Sequence, residues 1–262
     1  MRESVDILAM LRRDLASIAG GGRLPGQARF ATGHEAIDAA LGGGLARGRV
    51  HELFAPDPDD WASAAGFAAM LALCARGQGK PILWLRTDEA VRRGGTIHGP
   101  GLLELGGDPD SLLLAQAADA KALLKGAADA ARCAGLGALV VECWGKCIGL
   151  DLTPSRRLAL AAEQSGIVLL LLRLEAEPSP SAADTRWAVS AAPAEALEAN
   201  APGVPTFEIE LLRRRSGSSG MRWRLEWDRD RLIFREPALP GAVVPLPARR
   251  PVPAQPGLRL SA

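Results

Sequence analysis

The sequence lacks the features that would place a whole protein on a membrane or on nucleic acid. Its net charge is only +1 across 262 residues, so any surface for nucleic acid must be a local patch. No stretch reaches the roughly 18 apolar residues of a membrane span, and the run from Ile167 to Leu172 has the length of a buried strand. The N-terminal segment carries charges throughout, unlike a secretory signal peptide. We therefore expect a cytoplasmic protein that does not bind membranes.

Cysteine and histidine are also scarce, with four and three residues. The cysteines form no CxxC pair and have no histidine at metal-ligand spacing, so the sequence predicts neither a metal site nor a cofactor. Cys74 and Cys133 lie in alanine-rich helical patterns typical of buried thiols. Cys143 and Cys147 follow an apolar strand, where they are either buried thiols or a redox pair. The histidines are interpreted as isolated core or surface residues: His34, His51 and His98.

The middle of the chain alternates short apolar runs with helical patterns. Because these runs are apolar on both faces, they are typical of a parallel sheet covered by helices. The predicted strands are RVHELF, PILWLR, SLLLAQ, GALVVECW and IVLLLLRL. The predicted helices include Trp61 to Ala75, GPGLLELG, DAKALLKGAADAARCAG and TPSRRLALAAEQSG. The sequence therefore predicts an α/β fold of three layers with a mainly parallel central sheet.

Beyond Leu174 the pattern changes and divides the rest of the chain. TRWAVSAAPA is interpreted as a strand, TFEIELLRRR and MRWRLEWDRD as a β-hairpin, and RLIFRE as a further strand. We predict an N-terminal helix with a glycine linker (1–22), a main domain (23–236) that includes a basic hairpin (206–235), and a proline-rich flexible tail (237–262). The N-terminal helix either packs on its own domain or mediates self-association. The tail is either a linker or a peptide that docks on a partner.

The segment between the first central strand and the next helix stands where a phosphate-binding loop would lie. Such a loop needs glycines, a lysine and a Ser/Thr hydroxyl. Here Pro58 removes a backbone donor, Trp61 stands where the lysine is expected, and Ala62 offers no hydroxyl to magnesium. The predicted degenerate loop consists of Ala55, Pro56, Asp57, Pro58, Asp59, Asp60, Trp61 and Ala62.

Three aspartates of this loop place carboxylates where phosphate oxygens would bind: Asp57, Asp59 and Asp60. Their side chains can instead cap the N–H groups of the helix that begins near Trp61. A triphosphate would meet three like charges and no lysine, so we expect no productive ATP binding. The alternative is that the loop binds a cation, although its prolines disfavour a wrapped cage.

The segment from Thr32 to Pro56, TGHEAIDAALGGGLARGRVHELFAP, resembles the RecA family, in which a T-G-x-x-x-[IL]-D-x-x-L-G-x-G-[IL] signature leads into the strand before the phosphate-binding loop. ALVVECW resembles the Walker B strand, with Glu142 where the family has its magnesium-linked aspartate. Asp88 falls near the position of the family's catalytic glutamate, and Glu89 is its neighbour. The resemblance implies a RecA-like fold, and the departures imply a protein without ATPase activity. A divergent ATPase built on Asp88, Glu89 and Glu142 is the alternative.

More narrowly, the chain resembles the ImuA family of RecA-like, SulA-like proteins from bacterial damage-inducible mutagenesis cassettes. The motifs that carry this resemblance are TDEA, GLLELGGDPDSLLLAQAAD, ALVVECWG and ADTRWAVSAAP followed by the basic hairpin. The resemblance implies a non-catalytic adaptor in SOS-induced, error-prone translesion DNA synthesis. It implies as partners an ImuB-type protein related to Y-family polymerases, an error-prone replicative-type DNA polymerase and RecA. A SulA-like inhibitor of cell division is a further alternative.

The hairpin is the clearest candidate for a binding surface. Residues 211–235 hold eight arginines against three acidic residues. Arginine can contact phosphate with two donors at once, but Glu226 and Asp228 share a predicted face with Arg222 and Arg224. The surface is therefore a solvated face, a contact for an acidic protein, or a site of weak or indirect DNA contact. Its candidate residues are Arg213, Arg214, Arg215, Arg222 and Arg224.

Overall fold

The computed structural model describes residues 28–77, 79–194, 201 and 203–237. The predicted N-terminal helix and glycine linker (1–22), and the tail beyond residue 237, lie outside the described residues. Their boundaries and their roles remain predictions.

Six α-helices and eleven strands are defined within the described residues. The helices are α1 (Glu35–Leu41), α2 (Trp61–Arg76), α3 (Asp88–Gly94), α4 (Gly99–Glu104), α5 (Ala120–Ala130) and α6 (Leu152–Ser165). The first strands are β1 (Arg29–Phe30), β2 (Leu45–Ala46), β3 (Val50–Phe54), β4 (Ile82–Thr87), β5 (Leu112–Ala117) and β6 (Ala138–Trp144). The others are β7 (Val168–Leu174), β8 (Thr185–Ala191), β9 (Thr206–Arg214), β10 (Arg222–Asp228) and β11 (Ile233–Arg235). Two short 3₁₀ turns span Pro58–Asp60 and Pro109–Ser111.

One sheet of nine strands runs through the molecule in the order β11-β10-β9-β8-β3-β7-β6-β4-β5. All pairings from β8 to β5 are parallel. The pairings from β8 to β11 are antiparallel. The predicted hairpin is therefore present, and it continues the parallel sheet at one end. The separate pair β1–β2 is antiparallel.

Helices cover both faces of the sheet and bury two apolar cores. On one face α2 packs its alanine-rich surface, with Phe67 and Leu71, against sheet residues such as Leu170. On the other face α5 and α6 contribute Leu123 and Leu158 to a second cluster. Parallel strands require such cover because both of their faces are apolar. The predicted α/β fold with a mainly parallel central sheet is confirmed.

Local capping explains where the surface helices begin and end. Asp119 starts α5, as its side chain accepts from the Ala122 N–H at 2.7 Å. Gly166 ends α6 in the left-handed conformation, at φ 76°. The sequence did not predict α1 and α3, which have only seven residues each and too few periodic positions to be recognised.

Two expectations about cysteines and membranes can be compared with the fold. Cys133 is exposed in the turn after α5, so the prediction that it is a buried thiol is wrong. The alanine-rich pattern suggested a helix that continues to Cys133, whereas α5 ends at Ala130. Among the described helices, none has both the length and the apolar character needed to cross a membrane.

Candidate functional site

The degenerate loop is closed by its own hydrogen bonds. Its residues link β3 to α2 through the 3₁₀ turn Pro58–Asp60. The Asp57 carboxylate accepts from the Asp59 N–H at 3.0 Å, and the Asp57 carbonyl accepts from the Asp60 N–H at 3.0 Å. Two backbone donors that a phosphate-binding loop would offer to its ligand are therefore already used.

Asp60 does not cap α2, contrary to the sequence-based expectation. It occupies the N-cap position without a side-chain capping bond, and its carboxylate accepts from the Ala191 N–H at 2.8 Å. Ala191 is the last residue of β8, so this bond ties the loop to the sheet. The sequence could not predict this contact because the two residues are 131 positions apart.

Trp61 has an internal contact at the position expected for the phosphate-binding lysine. Its ring packs against Trp144 at the end of β6, with 5.5 Å between ring centroids. The guanidinium of Arg93 lies 5.1 Å from the Trp144 ring. A Cβ on Gly94 would come within 3.0 Å of the same ring, so the small residue permits the close approach of α3. Aromatic packing thus fills the side of the loop that faces the strand ends.

Glu142 is buried beneath these rings with both carboxylate oxygens occupied. Oε1 accepts from Arg86 Nη2 at 2.8 Å and from Trp144 Nε1 at 2.6 Å. Oε2 accepts from Trp84 Nε1 at 2.8 Å. We call Trp84, Arg86, Glu142 and Trp144 the Glu142 cluster. A metal ion could reach this carboxylate only by displacing donors that already neutralise and solvate it.

The sequence predicted only Glu142 of this cluster and missed its three donors, of which Arg86 is the charged one. Its guanidinium also donates to the carbonyl of Ala90 in the first turn of α3, at 2.8 Å, and to that of Gly95 directly after α3, at 2.7 Å. These two bonds hold both ends of the short helix. Arg86 pairs in register with Glu142 between β4 and β6. The sequence did contain a signal for this contact, namely an arginine in the mainly apolar strand ILWLRT. A charged side chain in a buried strand indicates a charged partner on a neighbouring element.

The acidic residues proposed for a divergent ATPase do not converge on one ion. Asp88 and Glu89 are exposed in the first turn of α3, and Glu89 pairs with Arg92 at 2.6 Å. Glu142 is held by Arg86 instead. Across the residues that the structure describes, no three His, Cys, Asp or Glu side chains are grouped as metal ligands. The described residues therefore do not bring Asp88, Glu89 and Glu142 together as ligands of one ion.

A cavity of about 330 Å³ lies beside the Glu142 cluster. Its lining is mainly apolar and includes Trp61, Trp84, Ile97, Leu102 and Leu105. Arg86 also faces this space, but its charge is balanced by Glu142. The chemistry of this cavity suits an apolar group better than a triphosphate.

A second buried ion pair lies on the opposite face of the sheet. Arg186 Nε donates to Glu52 Oε2 at 2.6 Å, and Arg186 Nη2 donates to Ser181 Oγ at 2.9 Å.

His51 is hydrogen-bonded through both ring nitrogens, to the Thr185 hydroxyl at 2.8 Å and to the Ala46 carbonyl at 2.9 Å. Burial lowers the pKa of His51 below its ordinary value, and the bond to Ala46 opposes this shift. His51 is thus a core histidine, one of the two placements that the sequence predicted.

The hairpin arginines do not form one free cationic face. Arg214 is half-buried and donates to the carbonyls of Ala40 at 2.8 Å and Leu41 at 3.0 Å, which completes the end of α1. Arg222 pairs with Glu210 at 2.7 Å. Arg224 donates to the Pro193 carbonyl. Arg213 and Arg215 are exposed at the end of β9, where Arg213 donates to the Ser181 carbonyl over a long distance of 3.5 Å. These last two are the most available members of the predicted surface.

Comparisons with known proteins identify the fold. No family model and no curated protein matches this chain. Among solved structures, the chain is similar to the one titled "Crystal structure of the RadB recombinase", with a TM-score of 0.53 and 14% sequence identity. The match covers 79% of this chain and 99% of that chain. The fold is RecA-like, as the resemblance of residues 32–56 implied.

Proposed function

We propose that this protein is a RecA-like accessory factor of DNA repair that works without binding or hydrolysing ATP. The proposal rests on the hydrogen bonds of Glu142. Its two carboxylate oxygens accept three hydrogen bonds, and one of the donors is the buried guanidinium of Arg86. A Walker B carboxylate must be free to act on magnesium and its water ligands. The closed loop supports the same conclusion, since two of its N–H donors, those of Asp59 and Asp60, are bonded to Asp57.

A nucleotide-binding titration tests this proposal. Labelled ATP with magnesium is titrated onto the full chain, with and without single-stranded DNA, beside an active RecA-type ATPase as positive control. We expect a Kd weaker than about 1 mM, equivalent to about 4 kcal/mol, and no hydrolysis above background. Micromolar affinity that is lost in Asp60→Ala or Trp61→Ala would contradict the proposal.

A matched pair of variants distinguishes a weak ATPase from contamination. Glu142→Gln alters the proposed Walker B position, whereas Glu226→Gln alters another buried glutamate, paired with Arg235 at 3.3 Å in the hairpin. Hydrolysis abolished by the first variant and retained by the second would establish a divergent ATPase.

We further propose that the accessory role is in error-prone translesion synthesis, with an ImuB-type protein and an error-prone DNA polymerase as partners. Support comes from the ImuA-like motifs ADTRWAVSAAP and GLLELGGDPDSLLLAQAAD. Co-expression with the products of neighbouring genes, followed by affinity purification, tests it. We expect co-purification of the polymerase-associated protein. Capture of a septum-forming GTPase alone would favour a SulA-like function instead.

Direct DNA contact is tested on the two available arginines. A mobility-shift titration against salt compares the wild type with an Arg213→Ala/Arg215→Ala variant. The control is Arg92→Ala/Arg132→Ala, which makes the same charge change at exposed positions outside the hairpin. If the hairpin contacts phosphate, we expect the salt slope to fall by about 1 to 2 in the first variant alone. An unchanged slope would assign the hairpin to a protein partner or to solvent.

A further inference from the structure

Two cysteines come together on the face of the sheet opposite the Glu142 cluster. Cys143 is the penultimate residue of β6, and Cys147 lies four residues later in the loop before α6. Both are buried, with 2% and 9% of their surface exposed. Both residues belong to the same buried apolar cluster, and their thiols lie close enough for each to shift the pKa of the other.

This proximity makes the two thiols chemically different. The hydrogen bond from Cys143 lowers the pKa of Cys147, and the charge of Arg173 lowers it further, although burial raises it. The same bond and burial raise the pKa of Cys143. Cys147, which also lines a surface cavity, is therefore the nucleophilic partner, and the more deeply buried Cys143 is the thiol that reacts second.

Arg173 supplies the cation of this site. It pairs in register with Cys143 between β6 and β7, and only 5% of its surface is exposed. Its guanidinium lies over the Phe54 ring at 5.7 Å. In the described part of the chain, its buried Nε and Nη1 atoms have no hydrogen-bond partner. A buried arginine with unused donors is costly unless an anion contacts it, and a cysteine thiolate is such an anion.

A cavity of about 850 Å³ gives access to Cys147 and Arg173. The other charged groups that line it are Lys146, Asp151, Glu175 and Glu177. Asp151 caps the start of α6, and Glu175 is paired with Arg93 at 2.7 Å. Small polar oxidants can therefore reach the sulfur of Cys147 beside the charge of Arg173.

We propose that Cys143 and Cys147 form a reversible redox site that reacts with hydroperoxides. The Cys147 thiolate attacks the outer peroxide oxygen, the O–O bond breaks, and the leaving oxygen departs as water or an alcohol after taking up a proton. This step leaves Cys147 as a sulfenic acid. The Cys143 sulfur then attacks the Cys147 sulfur, the S–O bond breaks, and water leaves with the Cys143 proton. The two thiols together lose two electrons to one peroxide. Reduction of the disulfide by two equivalents of a small-molecule thiol restores both cysteine thiols.

The other two cysteines provide internal controls for this reaction. Cys133 is exposed, and accessibility alone would make it react first. Cys74 is half-buried in α2, where burial raises the pKa of its thiol, and it donates to the Leu232 carbonyl at 3.2 Å. The proposal instead ranks Cys147 above both of these thiols.

Alkylation and mass spectrometry of the reduced full chain test the proposal. The protein is treated with equimolar hydrogen peroxide at pH 7, quenched with iodoacetamide at intervals, and digested. We expect a Cys143–Cys147 disulfide that forms at least about fivefold faster than oxidation at Cys133, because the thiolate is the reactive form. Faster reaction at Cys133, with no Cys143–Cys147 disulfide, would overturn the proposal.

Variants separate the roles of the three residues. In Cys143→Ser we expect a sulfenic acid at Cys147 that dimedone traps, and in Arg173→Met we expect the rate at Cys147 to fall about fivefold or more. Arg92→Met, at an exposed position of α3, should leave the rate unchanged. Equal rates in the two arginine variants would remove Arg173 from the site, while failure of dimedone to label Cys147 would contradict the proposed order of steps.

Discussion

At the scale of single residues, the buried pair of Glu142 and Arg86 affects the free energy of unfolding. Glu142 and Arg86 lie 2.8 Å apart, and their side chains are exposed by only 4% and 7%. A buried pair of this kind contributes little compared with an apolar pair of the same size, but removing one partner leaves an uncompensated charge. This asymmetry explains why the buried carboxylate of Glu142 occurs together with the Arg86 guanidinium.

Arg86→Met should therefore destabilise the protein by about 3 to 5 kcal/mol, and Arg86→Met combined with Glu142→Gln should recover part of that loss. Urea unfolding followed by far-UV circular dichroism measures both changes. Arg92→Met is the control, since its pair with Glu89 is more than half exposed and should contribute less than about 1 kcal/mol. A double variant no more stable than Arg86→Met alone would contradict this account.

His51 should make stability depend on pH in the mildly acidic range. Burial lowers its folded-state pKa below the unfolded value of 6.5, so the unfolded state binds the proton more readily. The contribution of His51 is therefore present above pH 6.5 and is lost as the pH falls toward the folded-state pKa. We expect His51→Gln to flatten the decline of unfolding free energy between about pH 7 and pH 5.

At the scale of elements, the loop before α2 is held in place by a contact with β8. Its carboxylates were expected to cap the helix, but Asp60 bonds the end of a strand, while Asp57 closes the 3₁₀ turn. Together with the packing of Trp61 on Trp144, these contacts fix the loop from two sides. The element is thus stabilised by side chains where a phosphate-binding loop would be completed by its ligand.

Asp60→Ala should destabilise the protein by about 1 to 2 kcal/mol because the Ala191 N–H loses a charged acceptor. Asp59→Ala is the matched control, since its exposed side chain is in the same turn and the change should stay within about 0.5 kcal/mol. Thermal unfolding of the two variants in parallel measures the difference. Equal losses would assign the effect to net charge rather than to the bond with β8.

At the scale of the whole molecule, the C-terminal strands belong to the main core. Leu225, Trp227 and Phe234 join the same buried cluster as α2 and the central strands. The Trp227 indole donates to the Leu105 carbonyl at 2.9 Å, and the Phe234 N–H donates to the Thr32 carbonyl at 2.8 Å. These bonds connect the hairpin region to segments more than one hundred residues earlier. We expect the sheet to unfold as one cooperative unit.

Trp227→Ala should cost about 3 to 5 kcal/mol and lower the midpoint of a single unfolding transition. Trp223→Ala should cost less because Trp223 is only partly buried. Guanidinium unfolding followed in parallel by circular dichroism and tryptophan fluorescence measures both. Two separate transitions in the wild type would show instead that the hairpin region unfolds independently.

The sequence by itself determined the strands of the nine-stranded sheet, the larger helices and the fold class. Period-two alternation places Trp223, Leu225 and Trp227 on one face of β10, and in the structure Leu225 and Trp227 are buried in the core while Trp223 packs against it. Continuous apolar runs identified the parallel strands, because a strand buried on both faces leaves no polar positions. The degenerate loop could also be recognised from the sequence, because residues 55–62 contain neither the glycines nor the lysine that a phosphate-binding loop uses.

Only the tertiary structure decided what the unusual residues contact. Arg86 and Glu142 are separated by 56 residues, Asp60 and Ala191 by 131, and Arg214 and Ala40 by 174. Local periodicity contains no information about such pairs, because strand order and register bring them together. The faces of each strand follow from the sequence, whereas the order and register of the sheet bring Arg86 to Glu142 and Arg173 to Cys143.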